Sequence, residues 1–209
     1  MKNRILGLVD GQSGNIGSIT KAIKDLIKDK PFRLKVIKED FNPHHFDKII
    51  LPGQGAFTTL MSNLKKFKII KSLRKYLEND GSYLGICVGM QILADEGYED
   101  KTTKGLGIIS GTISRFSNQK LIIPHMGWNS INMIKKDPVV KQNLNEKDFY
   151  FVHSYIYQNI KKKNILAMTK YGKQFPSIVN QGNVYGVQFH PEKSHKNGLQ
   201  LIKNFIFQA

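Results

Sequence analysis

The feature that most restricts what this chain can fold into is an alternation of two hydrophobic periods across its first half. Ile5-Leu6-Gly7-Leu8-Val9-Asp10 is a short apolar run stopped by Gly11, the mark of a strand buried on both faces. From Asn15 to Lys28 the apolar residues Ile16, Ile19, Ile23, Leu26 and Ile27 recur with helical spacing and form one stripe. Strand-like segments follow at Arg33–Ile37 and Lys48–Leu51, then a helical pattern from about Phe67 to Leu77. Tyr83-Leu84-Gly85-Ile86 is a strand running into Cys87, with a helical pattern over Val88–Ala94 behind it. Strands alternating with helices need crossover connections, so this half predicts a parallel sheet covered by helices.

The second half changes character. Short apolar runs at Gly107–Phe116, Leu121–Ile123, Phe149–Val152, Ile165–Thr169 and Val184–Phe189 are separated by turn residues. They predict an antiparallel extension of the same sheet, closed by an amphipathic helix over Asn197–Phe207. Neither a repeat nor a linker interrupts the pattern, so residues 1–209 are expected to form one domain, long enough to bury a core without disulfides. Nowhere do apolar residues approach the ~20 in succession that span a bilayer. The N-terminal apolar run ends at Asp10, too soon for a signal peptide, so a cytoplasmic location is expected. The formal net charge of +16 raises the question of a nucleic-acid partner. Its lysines are scattered among Ile and Asn, the longest run being Lys161-Lys162-Lys163 beside pairs such as Lys65-Lys66, and no arginine-rich arm or zinc-finger spacing accompanies them. The charge therefore reads as a solvated surface, leaving room for an acidic or phosphate-handling partner but predicting neither nucleic acid nor membrane.

Only one cysteine is present, which excludes an intrachain disulfide and a cysteine-rich metal site. A lone cysteine is usually a small buried hydrophobe. Here its neighbours argue otherwise. Gly85-Ile86-Cys87-Val88-Gly89 has the G-x-nucleophile-x-G form of a sharp strand-to-helix turn, in which small residues avoid clashes around a strained nucleophile. At a helix N-terminus, backbone N–H groups favour a thiolate. Such a nucleophile needs a base and a group to orient it. Gly186-Val187-Gln188-Phe189-His190-Pro191-Glu192 offers both: in an extended segment residues two apart share a face, and Pro191 disfavours helix at His190. His190 is thus the candidate base, with Glu192 fixing its tautomer. Leu51-Pro52-Gly53-Gln54-Gly55 follows an apolar strand and could bring backbone donors to an oxyanion, with Val88 supplying a second N–H.

These segments resemble the class I glutamine amidotransferase family. Pro124-His125-Met126-Gly127-Trp128-Asn129, Tyr150-Phe151-Val152-His153-Ser154-Tyr155 and Gln188–Ser194 are further similar to the glutaminase subunits of imidazole glycerol phosphate synthases. The resemblance runs from Asp10 to Phe205. It implies a three-layer, flavodoxin-like α/β fold whose mixed, mostly parallel sheet carries a nucleophile elbow and an antiparallel extension. It also implies that Cys87, His190 and Glu192 hydrolyse L-glutamine through a thioester, with no cofactor and no metal. Gly53, Gln91, His153, Ser154 and Tyr155 would surround the glutamine, and the backbone amides of Gln54 and Val88 would serve the oxyanion. The implied partner is a TIM-barrel cyclase subunit that receives ammonia in a heterodimer, with Asn15, Trp128 and Lys193 at or near the interface.

Two departures from the family pattern stand out. Asp10-Gly11-Gln12-Ser13-Gly14-Asn15 lacks the usual aromatic, and Gln54 replaces the usual valine. They leave open a paralogous glutaminase that feeds a surface-polysaccharide sugar amidotransferase. A non-catalytic scaffold binding an acidic partner is the other alternative, against which the three retained groups argue.

Overall fold

A computed structural model describes residues 4–12, 14, 16–116 and 121–208. In chain order the first half contains β1 (Arg4–Val9), α1 (Gly17–Ile27), β2 (Phe32–Ile37), β3 (Lys48–Gly53), α2 (Phe57–Lys66), α3 (Ile69–Glu78), β4 (Ser82–Cys87) and the single turn α4 (Val88–Gln91). Five short strands follow: β5 (Glu96–Tyr98), β6 (Thr102–Lys104), β7 (Thr112–Arg115), β8 (His125–Ser130) and β9 (Asn132–Met133). The chain continues through β10 (Asp148–His153), β11 (Tyr155–Gln158), β12 (Ile165–Tyr171), β13 (Lys173–Gln181), β14 (Val184–Val187) and α5 (His195–Gln208).

An eight-stranded sheet in the order β2-β1-β3-β4-β14-β13-β12-β9 forms the middle layer. The five strands from β2 to β14 are parallel, and β13, β12 and β9 add antiparallel. The order reverses direction at β1, since α1 leads outward to β2 while α2 and α3 lead the other way to β4. Right-handed crossovers therefore place these helices on opposite faces, with α1 beside α5 and α2 beside α3. Helix α1 buries Ile19, Ala22, Ile23 and Ile27, the stripe its spacing predicts. At one edge, β2 has a single neighbour and points Arg33 and Lys35 into solvent.

The antiparallel extension exists, but not all of the second half joins it. Among the described residues β8 pairs only with β10, and β11, β7, β5 and β6 make a separate four-stranded sheet. Ser154 alone separates β10 from β11, so one residue switches the chain between these smaller sheets. Residues 121–123, expected as a strand, only bend ahead of β8. Pro124 directly after them has no N–H to give a ladder. Within Gly107–Phe116 only Thr112–Arg115 is strand. The helix expected over Val88–Ala94 stops after one turn because a loop captures the next carbonyls: Leu106 N–H donates to Ile92 at 2.7 Å and Ile108 N–H to Leu93 at 2.9 Å. Helix α3 starts at Ile69 rather than Phe67, after Lys68 in the left-handed region.

Candidate active site

Strand β4 ends at Cys87, whose φ of 54° and ψ of −111° lie outside the comfortable range of a non-glycine residue. The backbone can turn this tightly only because the flanking residues lack Cβ atoms. A Cβ on Gly85 would run into the Gly89 carbonyl, and one on Gly89 into the Leu51 carbonyl. Cys87 is 4% exposed. Its sulfur lies 3.9 Å from the Val152 carbonyl and 3.8 Å from Gln188 Nε2. Since α4 is one turn long, the free N–H groups of that turn, not a long helix dipole, are its contribution to a thiolate.

His190 meets this thiol from the far end of β14. Its backbone N–H donates to Tyr150 at 2.9 Å, and its Nδ1–H to Glu192 Oε1 at 2.9 Å, which leaves Nε2 for the sulfur. Burial alone would lower the His190 pKa. The Cys87 charge and hydrogen bond, helped by Glu192, outweigh that and push it up to about 10. The imidazole is thus held protonated at neutral pH. Glu192 reaches the ring differently from the sequence expectation: not by strand alternation, but because Pro191–Lys193 forms a 3-10 turn that folds the carboxylate back. Its second oxygen, Oε2, is buried without a hydrogen-bond partner among the described residues, so the imidazolium is what compensates that carboxylate.

The thiol and imidazole open onto a cavity of about 580 Å³. Gln54, Val88, Gln91, His153, Ser154, Tyr155 and Lys193, all picked out from sequence, line it. Gly53 sits behind it, paired in register with Cys87, and is not among its lining residues. Gln91 Nε2 donates to the Tyr155 carbonyl and to Gln188 Oε1, each at 3.2 Å. His153 Nδ1 lies 2.9 Å from the same carbonyl. Trp128 is elsewhere: 49% exposed on β8, stacked on His195 at 4.9 Å and edge-on to Tyr150. Asn15 lies outside the described residues.

Sequence reasoning missed three residues. Glu99 lines the cavity and accepts the Phe57 N–H at 2.6 Å, its carboxyl raised chiefly by burial. A single acidic residue in a loop carried no signal. Gln188 was within a quoted motif without a role, yet it bridges Gln91 to the sulfur. His125, also inside a quoted motif, hydrogen-bonds His153. Among the described residues, no three His, Cys, Asp or Glu side chains converge to hold a metal ion, and no helix is long and apolar enough to cross a membrane.

A thiol on a strained turn, set against a carboxylate-anchored imidazole at the carboxyl end of a parallel sheet, places the molecule with the glutamine amidotransferases. Residues 14–209 match the family described as glutamine amidotransferase class-I, and the chain belongs to that family. It is 41% identical over 203 residues to the imidazole glycerol phosphate synthase subunit HisH of Pelagibacter ubique, covering 95% of this chain and 97% of that one. To the subunit of the same name from Methanocaldococcus jannaschii it is 42% identical over 202 residues, covering 97% and 98%. A crystal structure of a glutamine amidotransferase superposes with a TM-score of 0.71 at 21% identity, over 96% of each chain, which is a likeness of fold.

Proposed function

We propose that this chain is the glutaminase subunit of an imidazole glycerol phosphate synthase, acting as one domain that hydrolyses L-glutamine and passes the ammonia to a cyclase subunit. The observation that carries the chemistry is the convergence of Cys87, His190 and Glu192 at one end of the cavity. The near-full-length identity to two subunits named for that synthase supports the pathway.

The Cys87 thiolate attacks the side-chain amide carbon of glutamine, and the backbone amides of Gln54 and Val88 take the resulting oxyanion. Collapse breaks the C–N bond while His190 gives its proton to the departing nitrogen, releasing ammonia and leaving a glutamyl thioester. Water then attacks; His190 takes its proton, the C–S bond breaks, and glutamate and thiolate are restored. Glu192 keeps Nδ1 as the donor side of the ring throughout. Glu99, the cavity's other nearby carboxylate, suits the substrate's α-ammonium, and Gln91 with the His153–Tyr155 segment frames the rest. No cofactor enters any of these steps.

Ammonia released into water would become mostly ammonium, which has no lone pair to attack with, so a docked partner is part of the chemistry. Pro124, which lines the cavity, leads directly into β8, where Met126 and Trp128 are 61% and 49% exposed, and Ile122 just ahead of it is 83% exposed. Apolar side chains so exposed suit a docked partner. The decisive experiment compares cyclase product formed from glutamine and from ammonium chloride in the complex with the barrel cyclase. Cys87→Ala is expected to abolish the first and spare the second. Loss of both would assign Cys87 to folding or docking, and no glutamate from the wild-type complex would return the chain to the scaffold reading.

A further inference from the structure

Behind the cavity, β8 and β10 bring two buried histidines together in a box of aromatic rings. The His125 ring lies between Phe151 at 4.9 Å and Tyr171 at 4.1 Å, stacked on both. The His153 ring has Phe116 at 5.4 Å and Phe175 at 5.1 Å. Phenylalanine would fill such a box without desolvating any nitrogen. Imidazoles are there instead, and all four of their nitrogens have partners.

The direction of every hydrogen bond in this chain is fixed from both ends. The Tyr155 carbonyl can only accept, so His153 Nδ1 carries the proton that bridges the 2.9 Å between them. His153 Nε2, at 3.0 Å from His125 Nδ1, is then the acceptor and His125 Nδ1–H the donor. From the other end, the Asn129 side chain is oriented by two backbone contacts: Nδ2 donates to the Lys170 carbonyl at 3.0 Å, and Oδ1 accepts the Ser130 N–H at 2.9 Å. Its Nδ2, which can only donate, faces His125 Nε2 at 3.2 Å, again requiring the proton on Nδ1. Both derivations give neutral rings in the same tautomer. Burial agrees, lowering His125 to about 4 and His153 to about 3, the latter against its hydrogen bond to Tyr155 and with the neighbouring imidazoles adding to burial.

We infer that His125 is a positioning residue for glutamine: by donating to His153 it locks that ring to hold the Tyr155 carbonyl where Gln91 needs it. This rests on the glutaminase reading of the cavity. The Tyr155 carbonyl receives His153 on one side and Gln91 on the other, and Gln91 in turn orients Gln188, which donates to the Cys87 sulfur. Without His125, the His153 ring loses the one side-chain donor it has among the described residues and is free to swap tautomer. Its proton then leaves the Tyr155 carbonyl, and the substrate-facing amide of Gln91 turns with it.

Two variants separate this role from ring packing. His125→Phe keeps an aromatic in the stack and removes the donor; His125→Asn gives up the ring and keeps a donor at the same branch. Steady-state glutaminase kinetics on the complex with its cyclase should show KM for glutamine rising about ten-fold in His125→Phe, with a smaller change in kcat. His125→Asn should return KM to within about three-fold of wild type although its melting temperature is the lower of the two. Phe matching wild type, or Asn failing as badly as Phe, would overturn the inference. Nitrogen-15 NMR of histidine-labelled wild-type chain at pH 7 decides the matter even where both variants misfold: two rings protonated at Nδ1 support the relay, and Nε2 protonation of either removes it. A wild-type complex that releases no glutamate would sink the functional reading, while the NMR result would still judge the tautomers.

Discussion

Strand β4 delivers Cys87 to the cavity, while β8 begins just after Pro124 at the cavity wall, and the two strands differ in almost every physical respect. β4 is paired in parallel on both sides, by β3 and β14, and is buried along nearly its whole length. β8 has one ladder partner, β10, and turns Met126 and Trp128 outward. The Cys87 sulfur sits at the end of the first, and the exposed Met126 and Trp128 on the second. A residue as strained as Cys87 needs surroundings that over-determine its backbone, which a doubly flanked strand supplies. Docking asks for the opposite: side chains left unburied until a partner arrives.

The sharpest way to break that contrast is to add one methyl group to each strand's glycine environment. Gly89→Ala drives a Cβ into the Leu51 carbonyl beside β4 and should cost about 3 kcal/mol or more, read as a drop in urea-unfolding free energy. Gly127→Ala on β8 meets no atom within 4 Å, although its φ of 133° favours glycine, and should cost about 1 kcal/mol. Equal losses would mean that β8 is as constrained as β4. Next in size is Trp128→Ala, expected to weaken cyclase binding by about 2 kcal/mol, roughly thirty-fold in Kd by calorimetry. The isolated chain's stability should move by no more than about 0.5 kcal/mol. A large stability loss would make Trp128 a fold residue instead.

The smallest effect is pH dependence. His125 and His153 have lowered pKa values, so as pH falls through the ordinary histidine range the unfolded chain takes protons that the folded chain refuses, and stability falls. His190 is raised and has the opposite sign: its contribution is full below the unfolded value near 6.5 and is lost as pH rises toward about 10. Between pH 7 and 6 each proton refused by the folded chain costs on the order of 0.7 kcal/mol, so the wild type should lose about that much more stability over the interval than His125→Phe does. Urea titrations of both chains at the two pH values check this, and an equal change in the two would contradict the neutral buried pair.

The parallel half was readable because doubly buried strands announce themselves as continuous apolar runs, and the elbow because its two glycines bracket a cysteine. Helix α2 escaped notice even though Phe57, Leu60, Met61 and Leu64 have helical spacing. Thr58 and Thr59 are weak helix formers, and a Pro-Gly pair, a common turn signal although here it ends β3, precedes them. β13 was hidden by Pro176, which argues against an interior strand; the structure accommodates it opposite a bulged stretch of β12. Of the site, Cys87, His190 and Glu192, proposed here to carry the chemistry, were legible by type and local turn. Glu99, Gln188 and His125 were not, since their importance comes only from neighbours 42, 101 and 28 positions away in sequence.

Strand β2 gives part of the large positive charge a purpose unconnected with any ligand. An uncovered border of a sheet is a template on which a second molecule can add its own border, and so on without end. Arg33 and Lys35 project from that rim, so two copies approaching edge to edge bring like charges together before their amides can meet. Added salt shortens the reach of that repulsion to a few ångströms. Colloidal behaviour of the unpartnered chain should therefore worsen, not improve, as ionic strength climbs.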